Sequence, residues 1–279
     1  MTTRLRSITV YPVKSTSGRD VTTVDVEPLG LHDDRRWMVV GADGECLTAR
    51  RDRALLWVTA TPTPSGLRLG SRRGDRRPLE VAEPTGPPLE VSVHGKPLHG
   101  IPAAAEANAW IGAVLGRDDA RLVHLDRPRP LNPARSRPGD HTAFADAYPV
   151  TLASLASLRR VQDWVVEAAL DRGEEPTGIE MERFRPNLVV DGDLDPFVED
   201  GWQRVCVGDV VFVVAKGIDR CVLTTIDPTT LESGPEPIRS LARHHAWDGA
   251  TWFGLQLIPR SAGTVRVGDP VQGAEAAVT

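Results

Sequence analysis

The chain has 279 residues, 41% of them hydrophobic and 25% charged, with a formal net charge of −5. That length can bury a large core, as one big β-rich unit or two smaller ones, and the acidic balance excludes a dedicated nucleic-acid binder, which carries a basic excess. No apolar run approaches the ~18 residues of a membrane helix and none near the N-terminus reads as a secretory signal, so no integral membrane segment and a cytoplasmic location are expected.

Glycine (25) and proline (23) are frequent enough to punctuate many short strands. Residues 4–13 alternate loosely and run into a polar turn, Lys14-Ser15-Thr16-Ser17-Gly18, and residues 21–26 make a second alternating strand. After His32-Asp33-Asp34-Arg35-Arg36 comes the apolar strand Trp37–Val40. Asp43-Gly44 then signals a hairpin, because that pair tolerates the positive φ of a tight turn. Residues 45–50 are expected to return as its partner strand. Short strands follow over 55–60, 66–69 and Leu89–Val93, with a solvated, arginine-bearing turn over 70–77. Residues 103–115, rich in alanine and ended by Gly116, form a helix expected to link two units.

Arg121–Leu125 reads as a strand. The proline- and arginine-rich stretch 127–140 reads as a loop, either solvated or a lid offering arginines to an anionic ligand. Ser154 caps a helix carrying Leu155, Leu158, Gln162, Val165 and Ala169 that stops at Gly173. Residues 183–190 lead into a strand. Trp202–Val207 pairs with 209–215 across Gly208, a short helix is expected over 238–245, and 252–258 and 264–271 close the chain as strands. The expected fold class is mainly β with some α (α+β), built as two β-rich units and barrel-like in character.

The chemistry centres on residues 219–228, DRCVLTTIDP. Val222-Leu223-Thr224-Thr225-Ile226 is rich in β-branched residues and Pro228 ends the run, so a short strand opening or closing at Cys221 is expected. A thiol beside a guanidinium, here that of Arg220, has its thiolate form favoured, and a thiolate is both a nucleophile and a soft metal ligand. Cys221 with His244 or His245 and Asp227 would make a thiol-hydrolase triad. Cys46 and Cys206 sit among strand-like residues and read as buried small hydrophobes. Three cysteines without a CxxC pair fit a reducing compartment, and no iron–sulfur cluster is expected in this chain because one normally needs four thiolates.

Arg183-Phe184-Arg185-Pro186-Asn187 presents two guanidiniums and an amide on a segment stiffened by proline. It suits a phosphate or a heterocycle with donors and acceptors on one edge, and structural ion pairs equally well. Lys14-Ser15 in its turn is a second candidate anion site and Asp34-Arg35 a third. The sequence has no GxxxxGK[ST] phosphate-binding loop, no GxGxxG after a strand and no HExxH or paired Cys/His spacing.

YPVKS, GLHDDRRWMVV and DGECLTAR resemble the N-terminal β-rich module that precedes the MOSC domain (molybdenum cofactor sulfurase C-terminal domain). YPVTLASLASL, ERFRPNLVV, EDGW, DRCVLTTIDP and TVRVGDPV resemble the MOSC domain itself, so the likeness covers nearly the whole chain in the right order. In layout the chain is similar to the mitochondrial amidoxime-reducing components and their bacterial counterparts. The resemblance implies an N-terminal module over 1–100 and a MOSC β-barrel domain over 101–279 that includes the linker helix. It implies a molybdenum cofactor (Mo-molybdopterin) whose metal is held by Cys221, the catalytic centre. Lys14, Ser15, Arg35, Arg185 and Asn187 would hold its phosphate and pterin, with Arg220 tuning the thiolate or touching the phosphate. The implied activity is reduction of a small N-hydroxylated substrate, independent of pyridoxal phosphate. Electrons would come from a separate ferredoxin-, flavin- or cytochrome-type donor protein. Relatives often have a cysteine after the Lys-Ser pair, where this chain has Thr16. Two further readings are a cofactor carrier or sulfur-transfer protein using Cys221, and a non-catalytic binding module in which Cys221 is structural.

Overall fold

The computed structural model describes residues 2–275. Its largest sheet forms a half-barrel whose strands run, side by side, as Arg19–Val21, Arg4–Val10, Leu188–Asp191, Val150–Ser154, Ala250–Pro259, Val210–Asp219, Trp202–Val207 and Val271–Glu275, with Ala246–Trp247 added on Ala250–Pro259. Alternation makes these strands. In Arg4–Val10 the residues Leu5, Ile8 and Val10 are buried while Arg4 and Arg6 are exposed, and the buried set joins Val150, Leu152, Leu188, Val190, Phe212, Leu255 and Leu257 in one core. Each such side chain contributes roughly 1.5–3 kcal/mol on leaving water. The parallel pair of this sheet, Val150–Ser154 beside Leu188–Asp191, is joined by helix α2 (Leu155–Arg172), as a parallel connection requires. The Ser154 hydroxyl accepts from the Ser157 amide at 3.0 Å, and Gly173 closes the helix in a left-handed conformation. Ser154→Ala strands that amide and is expected to cost about 1 kcal/mol. Thermal melting should then fall by roughly 2–4 °C, and an unchanged midpoint would deny the cap any role.

The longest pair, Val210–Asp219 with Ala250–Pro259, slips register between Val214 and Lys216 and again between Gly217 and Asp219. Such bulges bend a strand and re-aim the residues beyond them. Here they deliver the chain to Cys221.

A smaller body packs a four-stranded sheet (Trp37–Val40, Arg121–Leu125, Lys96–Pro102, Leu89–Val93) with a three-stranded one (Val58–Thr63, Gly66–Ser71, Leu79–Ala82) and helix α1 (Ala105–Leu115). The expected division at 100/101 falls inside the strand Lys96–Pro102, and Ala107 and Ile111 of α1 share their core with Val58, Leu67, Leu69 and Leu122 of this body. Chain order and packing cross over: the first two strands lie in the large sheet, although the sequence around them reads as the smaller unit.

Two expectations are corrected. Residues 45–50 do not form a second strand of a hairpin; the partner of Trp37–Val40 is Arg121–Leu125, and only isolated bridges, Val40 with Cys46 and Glu45 with Ser92, mark the return. Leu47 N donates to Val39 O at 2.8 Å and Gly41 N to Glu45 O at 3.0 Å, while the Cys46 amide donates to Ser92 O at 2.9 Å in Leu89–Val93 at the far edge of the same sheet, so the returning segment bridges the two edge strands and forms no regular strand of its own. Residues 222–226 are not a strand either. Val222–Thr225 is a single 3-10 turn, in which Thr224 Oγ1 donates to Cys221 O at 3.0 Å and Thr225 Oγ1 to Val222 O at 2.8 Å. Hydroxyls that bond back to the preceding turn override the β preference of their branched side chains.

Candidate functional site

A cleft between the two bodies is lined by Lys14, Ser15, Arg35, Asp146, Arg183, Arg185, Arg220, Cys221 and Gln256, among others, and encloses about 810 Å³ up to and including its open mouth. The first segment leaves Arg4–Val10 as Tyr11-Pro12-Val13-Lys14-Ser15 and is laced to 35–37: Arg35 N donates to Tyr11 O at 2.7 Å, Trp37 N to Pro12 O at 3.0 Å and Lys14 N to Trp37 O at 2.8 Å. Ser15 (φ 68°), Arg35 (φ 50°) and Arg185 (φ 54°) all hold left-handed backbone conformations. Each such non-glycine residue costs on the order of 1–3 kcal/mol, and strain of this kind gathers at binding sites.

The cations differ in how they are held. Lys14 Nζ donates to Asp146 Oδ1, whose carboxylate also receives His94 Nε2 at 3.2 Å and faces Arg50 at 3.7 Å. Burial alone raises the Asp146 carboxyl, but Lys14 and His94 outweigh it and hold the group well below the usual carboxylate range. Arg35 donates from one nitrogen to Asp34 and, at 2.7 Å, to Asn187 Oδ1. Arg183 is spent on structure, donating to Thr225 O at 3.2 Å and Asp227 Oδ2 at 2.9 Å, which fixes the turn after Cys221.

Arg185 and Arg220 are the cations left wanting partners. The Arg185 guanidinium has no carboxylate or carbonyl acceptor among the described residues and lies 4.4 Å from the centre of the Tyr11 ring. Burial lowers its affinity for its proton. Arg220 is wedged over Phe184 and Phe253, donates to Phe253 O at 2.8 Å and Phe184 O at 3.0 Å, and leaves Nη2 buried without a partner among the described residues. Burial, offset only in part by Cys221, pushes it down to about 9. Gly254 (φ 76°) permits that wedge, since a Cβ there would meet Leu152 O at 2.6 Å and Arg220 Nη2 at 3.4 Å. Gln256 Oε1, also in the cleft wall, is a buried acceptor without a donor among the described residues.

Of the residues expected from sequence, Lys14, Ser15, Arg35, Arg185, Arg220 and Cys221 all meet in this cleft. Asn187 does not line it. Its amide is fully engaged: Oδ1 accepts from Arg35, Thr151 N and Thr151 Oγ1, and Nδ2 donates to Thr9 O and Asp34 Oδ1. It therefore orients Arg35 rather than reaching a ligand itself. The thiol-hydrolase arrangement is not assembled. His245 is bonded to Asp200 at 2.9 Å and Trp252 O at 2.9 Å, His244 stacks on Trp164, Asp227 is taken by Arg183, and neither histidine lines the cleft. Nor does any residue of 127–140; Arg129 and Arg135 brace Ala145 O and Ala215 O instead. Cys46 is buried, and desolvation pushes its thiol up to about 12, whereas Cys206 is only half-buried. Sequence reasoning missed Asp146 and Gln256, which no motif or charge pattern distinguishes, and gave Tyr11, the first residue of YPVKS, no part in the site.

The donor set suits an anionic, multidentate ligand: unpaired guanidinium donors, a lysine, a turn hydroxyl, one orphaned acceptor and a thiol in a single cleft. A molybdopterin cofactor fits this chemistry, since it offers phosphate oxygens, a heterocycle with donors and acceptors, and a metal that takes thiolate.

Residues 2–118 match the MOSC N-terminal beta barrel domain and residues 139–272 the MOSC domain. The chain is 31% identical to mitochondrial amidoxime-reducing component 1 of Mus musculus over 94% of its own length and 79% of that protein. It is 30% identical to the Homo sapiens protein of the same name, covering 94% and 80% respectively. Molybdenum cofactor sulfurase of Danio rerio is 29% identical over 92% of this chain, which spans 32% of that longer protein.

Proposed function

Because the chain belongs to the MOSC-domain family, with the family's N-terminal beta barrel domain ahead of it, we propose that it is a molybdenum-cofactor-dependent reductase of N-hydroxylated compounds. When bound, the cofactor supplies a two-electron redox centre able to accept the oxygen of an N–O bond. The overall conversion consumes two electrons and two protons and releases water with the amine or amidine, and the electrons come from a separate donor protein. The observation that carries this reading is the convergence of Cys221 with Arg185 and Arg220, two guanidiniums whose remaining donors have no protein acceptor among the described residues.

In this reading Cys221 holds the metal through its thiolate. Lys14, Ser15, Arg35 and Arg185 take the phosphate and pterin oxygens, Asn187 and Asp34 keep Arg35 in its rotamer, and Gln256 offers its free oxygen to a heterocycle N–H. Arg220, next to Cys221 in the chain, holds the backbone of Phe184 and Phe253 together. Asp146 balances Lys14 and stays ionised across the physiological range, so it is an orienting group and not the proton donor.

The test is protein made in a molybdopterin-competent host, with molybdenum and pterin measured and benzamidoxime reduction assayed with an artificial electron donor. Close to one molybdenum per chain with turnover is expected. Molybdenum without turnover would favour a carrier or sulfur-transfer role, the reading to which the likeness to molybdenum cofactor sulfurase lends weight. Absence of both metal and pterin would overturn the cofactor reading altogether and leave a binding module.

A further inference from the structure

Tyr11 is almost wholly buried, yet it touches the two segments that bring Arg35 and Arg185 to the cleft. Its ring centre lies 4.6 Å from the Arg35 guanidinium carbon and 4.4 Å from that of Arg185. Its hydroxyl donates to Pro186 O at 3.2 Å, its amide donates to Asp34 Oδ1 at 2.8 Å, and its carbonyl accepts from Arg35 N at 2.7 Å. The residue also begins the segment that carries Lys14 and Ser15.

We propose that Tyr11 is a positioning residue, the aromatic platform that holds Arg35 and Arg185 side by side for one anion; this rests on the cofactor reading above. Two guanidiniums near one point repel each other. Asp34 compensates Arg35, but Arg185 makes no hydrogen bond or ion pair among the described residues and feels the Glu182 and Asp146 carboxylates only from a distance, so the negative face of the ring is its direct contact. A carboxylate in that place would compete with the ligand. An aromatic ring attracts the cation without occupying its N–H donors, and leaves them free for a phosphate or pterin oxygen. Burial keeps the phenol neutral, its pKa pushed up to about 12 against the lowering effect of both arginines, so it remains a donor to Pro186.

The experiment reads binding rather than turnover. Cofactor-free protein is titrated with inorganic phosphate, and cofactor-loaded protein is followed for pterin release during dialysis. Tyr11→Phe keeps the ring and is expected to stay within about twofold of the parent in both. Tyr11→Leu removes it and is expected to weaken phosphate binding and speed pterin release by about tenfold. A series of fluorinated phenylalanines at position 11 drains the ring face at nearly constant shape, and retention should fall with each added fluorine. That series decides the matter if the leucine variant does not fold. Flat behaviour across it, or loss in Tyr11→Phe equal to that in Tyr11→Leu, would overturn the platform. Phosphate binding that follows the ring while the parent takes up no molybdenum would uphold Tyr11 and refute the cofactor reading instead.

Discussion

Cys221→Ala is expected to leave a folded protein that carries little or no molybdenum and has lost more than about a hundredfold in benzamidoxime reduction, because removing groups that merely support a metal ligand already costs 10–100-fold. Cys221 sits half-buried just past the strand Val210–Asp219, and no hydrogen bond ties down its sulfur among the described residues. The fold therefore has little to lose from the truncation, and the melting temperature of cofactor-free protein should hardly move. Cys46→Ala is the control. That thiol is buried against Leu47 O and reaches no ligand, so metal content should be kept while stability falls modestly. Elemental analysis of the two variants separates the roles, and full molybdenum in Cys221→Ala would end the assignment of this residue as the ligand.

Arg220→Ala is the second large effect, and it acts on stability as well as on the ligand. Two opposing costs decide its sign. Burying the guanidinium is unfavourable, as its pKa pushed down to about 9 records, and deletion relieves that. Deletion also strands the carbonyls of Phe184 and Phe253, empties the space over two aromatic rings and removes charge-assisted bonds worth about 1.5–3 kcal/mol each. The second set is the larger, and a net loss of about 2–4 kcal/mol is expected. In thermal unfolding that corresponds to a fall of roughly 5–10 °C. Arg220→Lys should recover little, because an ammonium cannot bridge two carbonyls in the fork geometry of a guanidinium. An unchanged or higher melting temperature would mean that desolvation dominates and that Arg220 is kept for the ligand alone.

The half-barrel and its capped helix were legible because local signals agreed with packing. Ser154 and Gly173 bound helix α2 on both sides, and the alternation of Val205 and Val207 in Trp202–Val207 matches one buried face. The turn after Cys221 was not legible, since β-branched residues there point to a strand while their hydroxyls choose a 3-10 turn. The cations of the site could be picked out by type and by family likeness, but not their duties. Nothing in RFRPN separates Arg183, bound to Asp227, from Arg185, which is left facing the cleft. Asn187 shares the motif yet points into the scaffold. Asp146 and Tyr11 act through contacts made across the seam between two bodies, which adjacent residues in a sequence do not encode.

That seam has a consequence for the order in which the molecule is made. Arg4–Val10 finds its long-range strand partner in Leu188–Asp191, pairing Arg4 with Asp191, and Arg4 and Leu5 also meet residues 268–270. Contacts of such sequence separation form slowly and wait on synthesis. Lys14 and Ser15 are made well before residues 188–191, so the strand that sets their position is unpaired on one side until that later segment has emerged. The cleft is thus completed only when residues 188–191 have paired with Arg4–Val10, and a ligand held by Lys14 and Arg185 together has to wait for both bodies to be made.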